Sequence, residues 1–387
     1  MEEREIGIGV VGFGWMGRVH TASYRRVVEH FPDLGIRPRL VVAADVSDTR
    51  RRQAERVGFA ETTDDWRAVV EHPGVELVSI TMPNSMHREV ALAAIAAGKH
   101  LWVEKPVGRG VDDTAAVAEA ARAAGVLTGV GFCYRFAPAV QHARELIRAG
   151  EVGEVTHYRG VFLADYANRP DAAASWRFLR ADAGSGALGD LMAHVVDMTH
   201  FLVGPIDRVS GRTATMIQRR PRLPVGEGTH FSRVATDDLV DVENEDWAAA
   251  LCEFGDGTVG SLEASRVIVG PRVRMRFEVF GTRGALAWEL ERMNELERSR
   301  LSDDDADDDG YTTVFAGPGH GAFEAFQPGA GVPMGYDDLR VIEAASYLSA
   351  IRDGEQREPG VEDMLATARV LEAIERSSGS GAWEAAR

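Results

Sequence analysis

Residues 6–17 read Ile-Gly-Ile-Gly-Val-Val-Gly-Phe-Gly-Trp-Met-Gly, and the order of these twelve decides the fold. Ile6, Ile8, Val10 and Val11 form an apolar run suited to a buried parallel strand. Gly12, Gly14 and Gly17 then fall at the spacing of a dinucleotide fingerprint, with Phe13, Trp15 and Met16 between and beside them. Gly12 serves the tight turn, Gly14 lets backbone approach a pyrophosphate, and Gly17 allows the next helix to pack closely on the strand. The amphipathic residues 16–29 supply that helix, whose free N–H groups and positive dipole end favour phosphate. Strand, glycine turn and helix together are the context that a nucleotide site requires.

At 387 residues the chain exceeds one typical core, so two domains are expected, residues 1–132 and 133–387. The balance of 43 Lys and Arg against 60 Asp and Glu gives a net charge of −17, which argues against binding nucleic acid or anionic membrane surfaces. Cys133 and Cys252 make neither a disulfide framework nor a metal cluster, so a reducing compartment is expected and no metal. The acidic start, Met-Glu-Glu-Arg-Glu, lacks the pattern of a signal peptide, and no apolar run reaches the roughly 18 residues of a membrane span. A soluble, cytoplasmic protein is the expectation.

Residues 31–38 read as a loop, because two prolines and a glycine interrupt any period. A second strand at residues 39–44 ends on Asp45. An acidic residue at that tip accepts hydrogen bonds from adenosine ribose hydroxyls, which favours NAD over NADP. Arg50, Arg51 and Arg52 keep NADP open, but their place in a helical stretch reads as helix surface. Strands at residues 75–81, 100–103 and 127–130 alternate with helices at residues 84–97 and 112–124, which predicts a parallel, doubly wound sheet. Ligands of such sheets bind beyond the carboxyl ends of the strands. Two of those ends stand out, Thr81-Met82-Pro83-Asn84-Ser85-Met86-His87 and Glu104-Lys105-Pro106. A lysine between a glutamate and a proline at a strand end points toward the cleft, where it can polarise a hydroxyl; the alternative is a surface lysine before a turn. His87 reads as a residue of the helix N-terminus.

From Glu154 the pattern changes to long β-like runs at residues 155–162, 209–217, 241–254, 258–269 and 273–280. Asp256-Gly257 and Thr282-Arg283-Gly284 read as hairpin turns, giving one large, mostly antiparallel sheet. The fold class is therefore α/β plus α+β. A helix at residues 190–202 interrupts the sheet after Gly184-Ser185-Gly186-Ala187-Leu188-Gly189. On it Asp190, His194 and Asp197 share one face. Spacing alone leaves Asp190 as a helix cap and His194 as a core histidine, and no HExxH or CxxC supports a metal. Residues 336–351 and 361–374 read as amphipathic helices packing beside the nucleotide domain, residues 302–310 as a solvated acidic loop, and residues 377–381 as a flexible tail.

The glycine fingerprint, Thr81-Met82-Pro83-Asn84 with His87, and Glu104-Lys105-Pro106 together resemble the Gfo/Idh/MocA family, the glucose-fructose oxidoreductase and inositol dehydrogenase group. The resemblance implies an open-sheet second domain that holds substrate against a nicotinamide. It also implies that Asp190 and His194 match the family's catalytic pair and that Lys105 is catalytic, with Asp197 structural. By the same resemblance Gly12, Phe13, Gly14, Trp15, Met16, Gly17, Asp45, Thr81, Pro83, Asn84, His87, Glu104 and Lys105 meet the cofactor, and a homodimer or homotetramer forms through the outer face of the large sheet. Ser175-Trp176-Arg177-Phe178, the glycine-rich run before Asp190, Tyr134-Arg135 and Gly335-Tyr336 resemble the levoglucosan dehydrogenase and inositol dehydrogenase branch. That branch implies a pyranose, anhydrosugar or cyclic polyol substrate met by Lys105, Tyr134, Asp190, His194 and Tyr336, with Trp176 and Arg177 near the nicotinamide. Cys133 stands where relatives carry asparagine.

The chemistry implied is oxidation of a secondary hydroxyl. His194 takes the hydroxyl proton while hydride passes to the nicotinamide, Asp190 orients the imidazole, and Lys105 stabilises the developing alkoxide. Two other readings share the fold: a glycoside-cleaving or epimerising enzyme that retains its NAD, and a non-catalytic cofactor sensor. The presence of Lys105, Asp190 and His194 together speaks against the sensor.

Overall fold

The computed structural model describes residues 4–223, 232–234, 236–301 and 310–387. Its first half runs β1 (Arg4–Val11), α1 (Trp15–His30), β2 (Ile36–Ala44), α2 (Asp48–Arg56), β3 (Glu61–Thr63), α3 (Trp66–Glu71), β4 (Leu77–Ile80), α4 (Asn84–Ala96), β5 (His100–Val103), α5 (Val111–Ala124) and β6 (Thr128–Val130). The second half runs α6 (Pro138–Arg148), β7 (Val155–Ala164), α7 (Arg180–Ala183), α8 (Ala193–Leu202), β8 (Ile206–Ala214), β9 (Arg219–Pro221), β10 (Leu239–Asp241), β11 (Trp247–Phe254), β12 (Val259–Ser265), β13 (Val273–Gly281), β14 (Gly284–Glu289), β15 (Glu295–Arg300), β16 (Thr312–Phe315), α9 (Tyr336–Asp353), α10 (Val361–Ser380) and β17 (Glu384–Ala385). The chain divides into two compact units, Met1–Cys133 with Gly335–Leu365, and Tyr134–Met334 with Ala366–Arg387.

In the first unit six parallel strands pair in the order β3-β2-β1-β4-β5-β6. Ile6, Ile8, Val10 and Val11 of β1 are buried, as a central strand covered on both faces requires. Chain order reverses between β1 and β4, so the crevice beyond the ends of these two strands is the place where a doubly wound sheet takes its ligand. The short pair β3 and α3 escaped the periodicity reading because neither spans a full hydrophobic repeat. β2 starts at Ile36 and takes in Pro38, which the sequence assigns to a loop. The proline is tolerated because β3 pairs only with Val42, Ala43 and Ala44, leaving β2 an edge strand at Pro38, where no second neighbour needs its N–H. α9 lies against α1 in this unit, tied by the Arg26–Asp338 ion pair at 2.6 Å.

Among the described residues the second unit carries a nine-stranded sheet in the order β16-β15-β14-β13-β7-β12-β11-β8-β17, antiparallel except where β12 meets β7, and a separate pair, β9 with β10. Alternation divides its faces cleanly. Tyr158, Phe162, Ala248, Ala250, Leu262, Ala264, Met275, Phe277 and Val279 point into the core, while Arg159, Leu251, Ser261, Glu263, Arg276 and Glu278 lie on the other side. α8 packs on the inner face over Gly160, where a Cβ would stand 2.8 Å from Val195 Cγ1. Residues 377–381 are a second difference from the sequence expectation. α10 continues to Ser380, the Ser377 hydroxyl accepts from Gly211 N–H at 2.9 Å and donates to Ala382 O, and β17 then pairs with β8. Serine and glycine there dock the chain's end onto the sheet rather than loosen it. Of the acidic run, residues 302–309 lie outside the described residues.

Because α8 carries His194, its seat on Gly160 matters for more than stability. Gly160→Val is expected to lift α8 from the sheet, lowering stability by about 1–3 kcal/mol. Denaturant unfolding checks this, and an unchanged midpoint contradicts it.

Candidate active site

In the first unit the glycine loop, the end of β4 and the end of β5 converge. Gly12 takes a left-handed conformation at φ +89°. A Cβ on Gly17 would stand 2.2 Å from Gly12 O, so only glycine lets α1 begin this close to the turn. A Cβ on Gly14 would meet nothing within 4 Å, and no side chain caps the start of α1. Open space over a glycine at an uncapped helix N-terminus is a cradle for a pyrophosphate. The Thr81 hydroxyl donates to Val11 O and Gly12 O, locking the end of β4 to the loop. Pro83 and the largely buried Asn84 open α4 just beyond.

Asp45 closes the tip of β2. Its Oδ2 accepts from Phe13 N–H at 2.8 Å and its Oδ1 from Ser47 N–H at 2.9 Å. Each carboxylate oxygen can accept a further bond, so capacity for ribose hydroxyls remains. Arg50 reaches Asp45 Oδ2 at 3.5 Å and Arg51 donates to Asp45 O at 2.7 Å, so both arginines turn onto Asp45 itself. The donor set suits an unphosphorylated ribose, which is the chemistry of NAD. Phe13 contributes its N–H only, since its ring is buried edge-on to Phe59. Trp15 is 46% exposed and stacks on Tyr336 at 6.1 Å between ring centres. The Tyr336 hydroxyl in turn lies 3.9 Å from Cys133 Sγ, a thiol that burial pushes up to about 12 and so keeps protonated.

His87 sits inside rather than in the cleft. Its Nδ1 is 2.8 Å from Pro106 O and its Nε2 is 2.8 Å from Met82 O, so one ring staples the two strand-end turns together. Burial lowers its pKa. Lys105 follows β5 directly, through a cis peptide to Pro106, and Glu104 before it faces inward. Burial would raise the Glu104 pKa, but the Arg340 guanidinium, with the His20 hydrogen bond, holds this carboxyl far below the usual range. His20 stacks on Trp102 at 3.8 Å and places Nε2 3.0 Å from Glu104 Oε1. Burial takes His20 down to about 4 despite that carboxylate, so it is neutral, and an ionised carboxylate can only accept; Nε2 therefore carries the proton. Arg340 also bonds Glu343 Oε2 at 2.6 Å. One buried arginine thus serves two carboxylates, and burial pushes Glu343 up to about 7 against the opposing pull of Arg340.

The second unit holds the remaining candidates. A π turn, Leu188–Met192, precedes α8, so the single α-helix expected at residues 190–202 begins as a wider coil. Asp190 lies in the π turn and accepts from the Tyr166 hydroxyl at 2.7 Å. His194 is buried near the start of α8, its ring 4.7 Å from that of Tyr134 and 5.9 Å from that of Phe162. Asp197 takes both guanidinium contacts of buried Arg135, at 2.8 and 2.5 Å. Trp176 carries the Arg177 guanidinium 4.4 Å over its ring.

Sequence reasoning missed His20, Arg340, Glu343 and Tyr166. Two of them had a readable signal: Arg340 and Glu343 stand three residues apart among Leu339, Val341, Ile342 and Ala344, charges inside an otherwise apolar run. Tyr166 had none, because nothing local marks a loop residue whose partner lies 24 positions away.

The profile of an oxidoreductase family with an NAD-binding Rossmann fold, GFO/IDH/MocA, matches residues 6–132, and that of the GFO/IDH/MocA C-terminal domain matches residues 140–287. The levoglucosan dehydrogenase of Pseudarthrobacter phenanthrenivorans is 34% identical over 384 residues, 98% of each chain. A solved levoglucosan dehydrogenase in complex with NADH and levoglucosan shares 32% identity at a TM-score of 0.92, covering 99% of this chain and 100% of that one. The scyllo-inositol 2-dehydrogenase (NAD(+)) of Bacillus subtilis is 29% identical over 73% of this chain and 74% of its own.

The two carboxyls bound to Arg340 give opposite pH signatures. Glu104, held low, stabilises the fold above the ordinary carboxylate pKa and loses this only in strong acid. Glu343, held high, contributes stability that is complete below pH 4.5 and is lost as pH rises through about 7. Glu343→Gln keeps an acceptor for Arg340 and removes the titration. The wild type is expected to lose about 3 kcal/mol relative to this variant between pH 4.5 and 8. Thermal unfolding across that range checks it, and parallel curves contradict it.

Proposed function

The chain belongs to the GFO/IDH/MocA family of NAD-binding oxidoreductases, and from that premise we propose that it oxidises a secondary hydroxyl of a pyranose, anhydrosugar or cyclic polyol to the ketone. The observation that carries this reading is likeness over 98% of the chain to a levoglucosan dehydrogenase, in a chain that keeps Lys105, Asp190 and His194. NAD, when bound, accepts the hydride.

The protein's own groups manage the proton and the charge. The His194 imidazole accepts the hydroxyl proton. Asp190 orients the ring and stabilises the imidazolium that results. Lys105 donates toward the same oxygen and offsets the negative charge that grows there. The buried Glu104–Arg340 pair fixes the backbone from which Lys105 extends, so the ammonium is placed before substrate arrives. Trp15, Tyr336, Tyr134, Trp176 and Arg177 supply flat apolar and cationic surfaces of the kind that hold sugar rings and nicotinamide.

The reading extends to assembly and compartment. The outer face of the nine-stranded sheet exposes Leu251 and Val259 beside Arg159, Arg212 and Glu263, a mixed patch suited to pairing with a second copy as a dimer or tetramer. Cys133 and Cys252 are both free thiols, in keeping with a reducing cytoplasm. Among the described residues no helix is long and apolar enough to cross a membrane.

The test is NADH formation with levoglucosan, inositols, glucose, xylose and methyl glucosides, run beside NADP. Turnover with NAD on one ring configuration is expected, falling at least about a hundredfold in Lys105→Met and in His194→Asn while NADH still binds. Absence of turnover on every sugar despite tight NAD binding would favour an enzyme that retains its cofactor or a sensor, and full activity in both variants would remove the residue assignment.

A further inference from the structure

Tyr166 follows β7 by two residues, outside every motif that suggested the function. Its hydroxyl donates to Asp190 Oδ2 at 2.7 Å, and its ring packs against the buried cluster of Ala167, Ala174 and Phe178. Both ends of this hydrogen bond are pinned from below by one set of buried charges. On the tyrosine side, Arg220 donates to Ala167 O at 2.6 Å and Arg169 O at 2.9 Å, and Ala167 N–H donates to Arg266 O. On the aspartate side, Glu245 Oε1 accepts from Gly186 N–H and Leu188 N–H, fixing the entry to the π turn. A Cβ on Gly186 would stand 2.1 Å from Glu245 O, so the two segments touch. Arg266 joins the sides, bonding Asp246 Oδ1 at 2.8 Å and lying with Arg220 over the Phe178 ring. These buried groups thus contact the segments at both ends of the one hydrogen bond.

We propose that Tyr166 is a positioning residue for the oxidation, holding the Asp190 carboxylate in place and setting how much of its charge reaches His194. The proposal rests on the reading of His194 as proton acceptor. Asp190 has two oxygens, and the tyrosine engages one from outside the helix. A hydroxyl donating to an aspartate draws off part of its charge, so the neighbouring imidazole is held less basic than a bare carboxylate would make it. Burial, then the Asp190 charge, raises the Tyr166 pKa well above its ordinary value, so the hydroxyl stays a donor throughout the working range. The charged groups acting on this pair from the packed elements are Arg266, Arg177 and Arg220, with Asp246 facing Arg266 and Arg220 and Glu245 facing Arg266.

Tyr166→Phe removes one oxygen and keeps the ring in its packing, and 3-fluorotyrosine at the same position strengthens the donor. In Tyr166→Phe the acid limb of the kcat profile is expected to move up by about half a pH unit and kcat to fall about tenfold, with KM for NAD unchanged. With 3-fluorotyrosine the limb moves down and kcat is retained. A merely structural role predicts a lower melting temperature with the limb in place. That outcome overturns the proposal, as does a rise in the sugar's KM alone, which would make Tyr166 a substrate contact. His194→Asn separates the two levels. If its residual activity keeps the wild-type acid limb, the reading of His194 fails; if the limb disappears there but stays unmoved in Tyr166→Phe, only the role of Tyr166 fails.

Discussion

A carboxylate under the cofactor loop has to remain ionised in a place without water, and a single arginine keeps it so. Glu104 is reached by Arg340 from 236 residues further along the chain. Removing either partner would leave a bare buried charge, a change that costs about 3–5 kcal/mol in comparable pairs. The pair explains why the segment Gly335–Leu365 belongs with the first unit although the long sheet separates the two in sequence. It also explains the restraint on Lys105, whose neighbour cannot shift without carrying a charge into apolar packing. Gly131 completes the arrangement, since a Cβ there would stand 2.7 Å from Glu104 Oε2.

The second unit solves a similar problem by similar means. Arg220 and Arg266 are wholly buried and share Asp246; Arg220 also donates to backbone carbonyls of the segment that carries Tyr166, and Arg266 to Arg177 O and to Asn244. In both units a polar group assigned to chemistry, Lys105 in one and Asp190 in the other, stands on a turn backed by buried guanidinium groups. A guanidinium suits the task because its planar fork satisfies several acceptors at fixed angles and stays charged in the interior.

The sequence made the first unit's sheet, its glycine turn and the strand-end lysine legible because each rests on local rules: apolar runs, glycine spacing, a charge beside a proline. The large sheet followed from its long β-like runs, and two of its hairpins from Asp256-Gly257 and Thr282-Arg283-Gly284. Strand β15 did not stand out, since Glu295, Glu297, Arg298 and Arg300 interleave charge through it, the two arginines pairing with Glu151. Pro38 within a strand became understandable only once its missing neighbour was known. The π turn at Leu188–Met192 has its entry held by a remote partner, Glu245, which accepts from Gly186 and Leu188 N–H. His20, Arg340 and Tyr166 share the same difficulty: each acts through a partner from a remote part of the chain, and a lone polar residue in apolar sequence does not announce its partner.

What joins these observations is the proposal that Lys105 and the Asp190–His194 pair serve one substrate hydroxyl. A crystal structure of the protein with NADH and a turned-over sugar measures this directly. The account predicts Lys105 Nζ and the His194 imidazole both within hydrogen-bond reach of one hydroxyl, whose carbon faces nicotinamide C4 at about 3–3.5 Å. A sugar whose reacting hydroxyl contacts only one of the two residues, or whose nearest carbon turns away from the nicotinamide, would contradict it.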